Sequence, residues 1–239
     1  MNLMLIEPDQ IDDRDCASIT GRQFQHLRDT LKRQAGDTVK TGIISGKSGL
    51  ATVTSMTANR ALIDVAGLDQ PPIPASAIHL LIALPRPQML KRILQTAATF
   101  AVEKITFIDT QKVQKSYWQS PRLQGCAIRE ELVLGAEQGA HTHLPAVDLL
   151  PGKGRLSETL FPALKPYSDK FIAHQHHDAI GCESAATGKH YVVAIGPEGG
   201  FQDEEVALFQ QHGFKTLHLG RPILRVETAV TAVLARMLL

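Results

Sequence analysis

Cysteine is scarce in this chain, and its three copies stand far apart. Cys16, Cys126 and Cys182 form no C-x-x-C pair and no even-numbered framework. That excludes the disulfide scaffold of a small secreted domain and fits a reducing compartment. Long apolar runs are missing as well: none approaches the roughly 20 residues a membrane-crossing helix needs. The opening Met1-Asn2-Leu3-Met4-Leu5-Ile6-Glu7 lacks the basic n-region of a signal peptide. The expected compartment is the cytoplasm, with no membrane partner. Net charge is nearly absent too, +1 from 25 Lys and Arg against 24 Asp and Glu, which argues against a protein that binds polyanions over its whole surface. No internal repeat or low-complexity tract is visible.

What is present is enough for a sizeable core. With 239 residues and 44% hydrophobic content, the chain can build one large domain or two modest ones. Its charge is unevenly placed. Residues 22–60 carry seven Lys and Arg against Asp29 and Asp37, and residues 86–118 carry six against Glu103 and Asp109. Such local excess can hold a phosphate backbone on a near-neutral molecule, although a solvated surface is the plainer reading of either stretch alone. The candidates for RNA contact are Arg22, His26, Arg28, Lys32 and Arg33 in the first stretch, and Arg86, Lys91 and Arg92 in the second.

Along the chain, an irregular, acidic start gives way to a short helix or turn over 23–34. Three strand-like runs follow at 38–44, 50–56 and 61–65, separated by Gly46-Lys47-Ser48-Gly49 and Ala58-Asn59-Arg60. They suggest a small β-barrel-like module. Asp69-Gln70-Pro71-Pro72-Ile73-Pro74 denies the backbone both helix and central-strand pairing, so a boundary belongs there, with domains over 1–72 and 75–239. Beyond it the pattern becomes α/β. A buried strand at 78–84 leads through Pro85-Arg86-Pro87 into a helix over 88–102 with Met89, Ile93, Ala97 and Phe100 on one face, then a strand at 104–108. Ser120 and Pro121 read as N-cap and first-turn proline of a helix to about residue 138. A strand at 146–149, a helix at 156–164 and a strand at 170–173 precede the last segment.

The last fifty residues organise the rest. The run Tyr191-Val192-Val193-Ala194-Ile195 stops at Gly196-Pro197-Glu198-Gly199-Gly200-Phe201 and gives way to an acidic helix start at Gln202-Asp203-Glu204-Glu205. Thr216-Leu217-His218-Leu219 stops at Gly220 in the same way and leads into a C-terminal helix. Strands that end at glycine and feed a helix build ligand crevices in α/β sheets, so a site is expected between these loops. The first loop matches neither G-x-G-x-x-G nor G-x-x-x-x-G-K-[ST], and Glu198 would repel a polyphosphate. Glycine with Glu198 and Glu227 nearby suits a ligand offering hydroxyls, an adenine edge and positive charge, features S-adenosylmethionine has. A plain tight turn is the competing reading.

These residues also resemble a known family. Ile195-Gly196-Pro197-Glu198-Gly199-Gly200-Phe201, Leu219-Gly220 and Ile223-Leu224-Arg225-Val226-Glu227-Thr228-Ala229 are similar to the signature of the RsmE family, SPOUT-superfamily methyltransferases acting on uridine N3 of 16S ribosomal RNA. More weakly, His26-Leu27 through Gly36-Asp37, Gln95 and Ala136-Glu137-Gln138 match over nearly the whole chain. The resemblance implies an α/β protein with an N-terminal PUA-like β-barrel and a C-terminal SPOUT domain whose chain forms a trefoil knot. It further implies a homodimer, S-adenosylmethionine as cofactor, and 16S rRNA or the small ribosomal subunit as partner. Carried over, Ile195, Gly196, Pro197, Glu198 and Gly199 shape one wall of the cofactor pocket. Leu217, Leu219, Gly220 and Leu224 shape the adenine side, while Arg225, Glu227 and Thr228 sit nearest the methyl or the base. The sequence departs from the pattern at Gly220-Arg221-Pro222, where the family more often has proline before arginine. It departs again at Thr96, Thr99 and Ala101, which replace lysine, glutamate and glycine. No role is carried over for those side chains.

Methylation at uridine N3 needs its proton removed and the resulting charge stabilised. Arg225 is the expected anion stabiliser and Glu227 its orienting group or the proton acceptor; the competing reading is a structural ion pair at a helix start. A SPOUT enzyme for ribose 2′-oxygen or another base, and an inactive RNA-binding factor, are the alternatives. His141-Thr142-His143 and His174-Gln175-His176-His177-Asp178 lack metal-ligand helical spacing and a cysteine partner, so no metal is expected. His174 is instead a candidate for the cofactor pocket. Lys112, Lys115, Tyr117 and Trp118 suit phosphate contact and base stacking, or half-buried packing. The helix over 228–239 is too apolar for one exposed face and belongs in the core or against another subunit, a two-fold dimer being the expectation.

Overall fold

The structure is a computed structural model that describes residues 2–165, 167, 169–174, 180–181 and 188–239. Its contacts divide the chain into two compact units, one of Met1–Pro74 with Ala136–Leu144, the other of Ala75–Gly135 with Pro145–Leu239.

The first unit is built on a five-stranded sheet. Its elements are β1 (Met4–Ile6), β2 (Cys16–Ile19), α1 (Gly21–Gln25), β3 (Thr38–Ile43), β4 (Ser48–Met56) and β5 (Ala61–Asp64). The strand order is β1-β3-β4-β5-β2, parallel only between β1 and β3. Two strands therefore stand where an irregular start was expected. They are three and four residues long, too short to display a period, yet Met4, Leu5, Ile6, Ala17 and Ile19 are all buried. The expected short helix is α1 followed by a π-type turn over His26–Thr30, which contributes Phe24 and Leu27 to a core shared with Ile19, Val53 and Ile63.

Residues Ala136–Leu144 belong to this unit for a polar reason. Glu137 is buried and accepts hydrogen bonds from Arg22 Nη2 at 2.8 Å and Gln23 Nε2 at 3.1 Å. A carboxylate removed from water is tolerable only with such partners.

The second unit carries a seven-stranded sheet, parallel throughout. Its elements are β6 (Ser76–Ala83), α2 (Pro87–Thr99), β7 (Val102–Ile108), α3 (Gly125–Gly139, in this unit as far as Gly135), β8 (Ala146–Leu150), α4 (Phe161–Ala163), β9 (Asp169–Ala173), β10 (Ile180–Gly181), β11 (Tyr191–Ile195), α5 (Asp203–Gln211), β12 (Phe214–His218) and α6 (Val226–Leu238). The order is β10-β12-β9-β11-β6-β7-β8. Strand β6 is buried from Ile78 onward and β11 throughout, as continuous apolar runs in a sheet covered on both faces should be.

Helix α2 buries Leu90, Ile93, Leu94, Ala97 and Ala98, so the core face is rotated from the expected one: Met89 and Phe100 are only half-buried. Ser120 Oγ does accept from Arg122 N, at 3.3 Å, but caps a short 3-10 turn, and α3 begins at Gly125. Helix α6 packs on α2 and β11 and buries Val226, Ala229, Val230, Val233, Leu234 and Met237 within its own chain. Of the two places the apolar helix could go, the core has taken most of it. Cys16 and Cys126 are free thiols, while Cys182 lies outside the described residues.

Candidate active site

Strands β11, β9 and β12 are neighbours, with Ile195, Ala173 and Leu217 in register across them. Their chain ends therefore open side by side, and a cavity of about 350 Å³ sits there, within the range of small-molecule sites. Ala173 and His174 form its floor at the end of β9, and His174 N continues the pairing by donating to Leu217 O at 3.1 Å.

The first wall is the loop after β11: Gly196, Pro197, Glu198, Gly199 and Gly200. It is a tight turn, closed by Gly200 N donating to Pro197 O at 2.8 Å, with Gly200 at φ +70°. Gly196 packs closely, since a Cβ there would stand 3.1 Å from both the ring and the backbone nitrogen of Phe201 and would force that neighbour to shift by a few tenths of an ångström. Glu198 is tied down: its Oε1 accepts from Arg86 N at 3.1 Å, with the Arg86 guanidinium 3.9 Å away. The other wall is the loop after β12, with Leu219, Gly220, Pro222, Ile223 and Leu224, and the start of α6, with Val226 and Ala229. Gly220 sits at φ +107°, a conformation that side chains resist.

Ten of the sequence candidates thus meet around one cavity: His174, Ile195, Gly196, Pro197, Glu198, Gly199, Leu217, Leu219, Gly220 and Leu224. Thr228 is exposed and outside the wall, as is Arg221. Arg225 and Glu227 flank the lining residue Val226 without lining the cavity themselves. Arg225 is exposed at the N-cap of α6, Glu227 is half-buried, and Arg225 has no ion-pair partner among the described residues. Ile223 extends the wall although it is 89% exposed.

The RNA candidates are dispersed over both units. Arg22 is bound to Glu137, and Arg28 to Asp29 at 2.6 Å with its guanidinium 5.2 Å over the Phe24 ring. His26 is half-buried, its Nε2 without a partner among the described residues. Lys32 and Arg33 are exposed and without ion pairs among the described residues. In the second unit Arg86 serves Glu198, Lys91 lies 3.9 Å from Glu131, and Arg92 is exposed. Tyr117 and Trp118 are half-buried in a 3-10 turn over Lys115–Gln119. Gln175, His176, His177 and Asp178 lie outside the described residues.

The model of an RNA methyltransferase domain matches residues 71–238. The chain is 29% identical over 239 residues to ribosomal RNA small subunit methyltransferase E of Treponema pallidum, covering 98% of this chain and 90% of that one. It is 26% identical over 238 residues to ribosomal RNA small subunit methyltransferase E 1 of Borreliella burgdorferi, covering 97% and 95%. The fold matches that of a Legionella pneumophila protein solved in complex with the cofactor SAM, with a TM-score of 0.77 at 22% identity, covering 98% of this chain and 95% of that one. It also matches ribosomal RNA small subunit methyltransferase E from Neisseria gonorrhoeae bound to S-adenosyl methionine, with a TM-score of 0.76 at 20% identity and the same coverage. With a glycine-walled cavity at three adjacent strand ends and a family model that matches residues 71–238, this chain belongs to the RNA methyltransferase family.

Proposed function

We propose that this protein is an S-adenosylmethionine-dependent methyltransferase acting on N3 of a uridine in 16S ribosomal RNA, in the cytoplasm and as a homodimer. The observation that carries the reading is the cavity at the ends of β9, β11 and β12. The residues there fit the cofactor: Gly196, packed on Phe201, and Gly220, at positive φ, shape the two loops that wall the cavity, and Leu217, Leu219 and Leu224 offer an apolar surface for an adenine. His174 and Glu198 add polar groups at the floor and rim. Relatives named as ribosomal RNA small subunit methyltransferases E, aligned over nearly the full chain, support the choice of substrate.

When bound, the cofactor supplies a methyl group on a sulfonium sulfur. The chain's own residues must hold the uracil ring so that N3 faces that methyl, take up the N3 proton and balance the charge left on the ring oxygens. Arg225 is assigned the oxygen charge, because it is a cation beside the cavity wall with no ion pair among the described residues. Glu227, one turn-position inside α6, is assigned the proton or the orientation of Arg225.

The first unit is read as a PUA-like RNA-binding barrel over 1–72 and the second as a SPOUT domain over 75–239. In the second, β11 inserts between β9 and β6, and β12 then inserts between β10 and β9. Such interleaving supports a C-terminal trefoil knot. The test is mass spectrometry of nucleosides from 16S rRNA incubated with this protein and labelled cofactor. N3-methyluridine is expected. A 2′-O-methylated product, or none from protein that binds the cofactor, overturns the reaction assigned here. Light scattering that gives a monomer mass overturns the dimer.

A further inference from the structure

We propose that Lys112 is a positioning residue for the cofactor pocket: its ammonium holds the Gly199 carbonyl while its stem packs beneath Gly199, so the loop after β7 fixes the wall built by the loop after β11. The inference rests on reading that cavity as the S-adenosylmethionine site.

Lys112 Nζ donates to Gly199 O at 2.7 Å. A Cβ at residue 199 would stand 2.9 Å from Lys112 Cδ and 3.8 Å from its Cβ and Cγ. Glycine at 199 therefore leaves the space that the lysine stem fills, and both the charge and the alkyl chain engage the same wall residue. A lysine on a carbonyl is a charge-assisted hydrogen bond, here at the exposed edge of the wall, where water weakens it.

The loop that carries Lys112 is itself anchored. Gln111 N donates to Glu205 Oε1 at 2.8 Å, and Glu205 Oε2 accepts from Gln202 N at 2.9 Å. Glu205 is buried. One carboxylate thus joins the β7 loop to the residue that ends the glycine turn and opens α5. On the far side, Lys153 Nζ reaches Gln111 Oε1 at 3.1 Å and Gly152 N donates to Asp109 Oδ2 at 3.2 Å. The wall is consequently tied to one braced loop twice, directly at Gly199 through Lys112 and indirectly at Gln202 through the Glu205 carboxylate that Gln111 N also reaches.

Three variants of the full chain separate the parts: Lys112→Met keeps the stem and removes the donor, Lys112→Ala removes both, and Lys112→Arg restores a cationic donor. Calorimetric titration with S-adenosylmethionine should give an affinity about ten-fold weaker for Lys112→Met, weaker still for Lys112→Ala, and largely recovered for Lys112→Arg. The KM for the cofactor should rise by more than kcat falls. On ligand-free protein, amide hydrogen exchange at Gly200 and Phe201 should quicken in the Met and Ala variants. Wild-type affinity in both variants, or unchanged exchange, overturns the proposal. Wild-type protein that takes up no S-adenosylmethionine would instead sink the cofactor reading, and exchange would then decide by itself whether Lys112 holds the loop.

Discussion

Gly135 of α3 lies so close to α2 that a Cβ on it would stand 2.3 Å from the carbonyl oxygen of Gln95. The same Cβ would meet Ala98 Cβ at 2.8 Å, and the Thr99 hydroxyl lies within hydrogen-bonding distance of both the Gln95 and Gly135 carbonyls, at 2.8 and 3.0 Å. Gln95 Nε2 donates to Glu131 Oε2 at 2.6 Å one turn away. The threonine and glutamine that stand in this helix are therefore fasteners between α2 and α3.

Gly135→Ala should destabilise the protein despite alanine's better helix propensity. The propensity gain is about 1 kcal/mol, whereas forcing a methyl against a backbone carbonyl costs roughly 1–3 kcal/mol or more, because a helix must shift to relieve it. The Tm should fall by roughly 2–8 °C for a chain of this size. Differential scanning calorimetry decides it, and a raised Tm would mean that the two helices part freely.

His79 should make stability depend on pH below neutrality. It is 3% exposed on β6, its Nε2 2.8 Å from Thr106 Oγ1 and its Nδ1 without a partner among the described residues. Burial, reinforced by the Lys104 ammonium and opposed by Asp148, lowers its pKa from 6.5 to about 4. The unfolded chain binds the proton first, so the neutral ring's contribution is fully present above about pH 6.5. It is lost as pH falls through about 4, roughly 3 kcal/mol in all. Urea unfolding between pH 7 and pH 4 should show this slope in wild type and a shallower one in His79→Gln; equal slopes would remove His79 as the cause.

How much of this was legible in the sequence depends on whether the cause was local. The glycine turns after β11 and β12 were, because Gly196 and Gly220 answer to nearby backbone demands and stand at the ends of apolar runs. The meeting of the two turns around one site, with His174 as a candidate, was expected from the sequence as well; the strand that lies between them was not. That β9 lies between β11 and β12 is a matter of sheet order, and only this order brings His174 to the cavity floor. Strands β1 and β2 escaped notice because a run of three or four residues has no period to detect. Lys112 and Glu137 stood among the residues the sequence singles out, but their partners did not: Gly199 lies 87 positions from Lys112 and Arg22 lies 115 from Glu137, and no pattern of neighbours announces such a pairing.

Among the basic residues of the first unit, Lys32 and Arg33 should contribute more to RNA binding than Arg22 or Arg28. The latter two already face Glu137 and Asp29, so removing them leaves a carboxylate that repels phosphate and complicates the folded state. Lys32→Ala with Arg33→Ala should weaken binding to 16S rRNA and reduce the salt dependence of log K by roughly 0.7 for each phosphate that is no longer neutralised. Filter binding across a salt series measures it. An unchanged slope would take both residues off the RNA surface.

Arg225 offers the sharpest separation of binding from chemistry. Leu224 and Val226 on either side of it line the cavity and Arg225 does not, so truncating its side chain should leave cofactor affinity within about two-fold of wild type, as judged by calorimetry. Exposed and without an ion pair among the described residues, it should also contribute little to stability, within about 0.5 kcal/mol. If it stabilises charge on the uracil oxygens, Arg225→Ala should lower single-turnover methylation by roughly 10²–10³-fold, the loss seen when an oxyanion partner is removed. Arg225→Lys should recover only part, since an ammonium replaces a planar fork. Turnover that survives in Arg225→Ala would move the burden to Glu227 or to a residue outside α6; loss of cofactor binding in the same variant would mean that Arg225 belongs to the pocket and not to the chemistry.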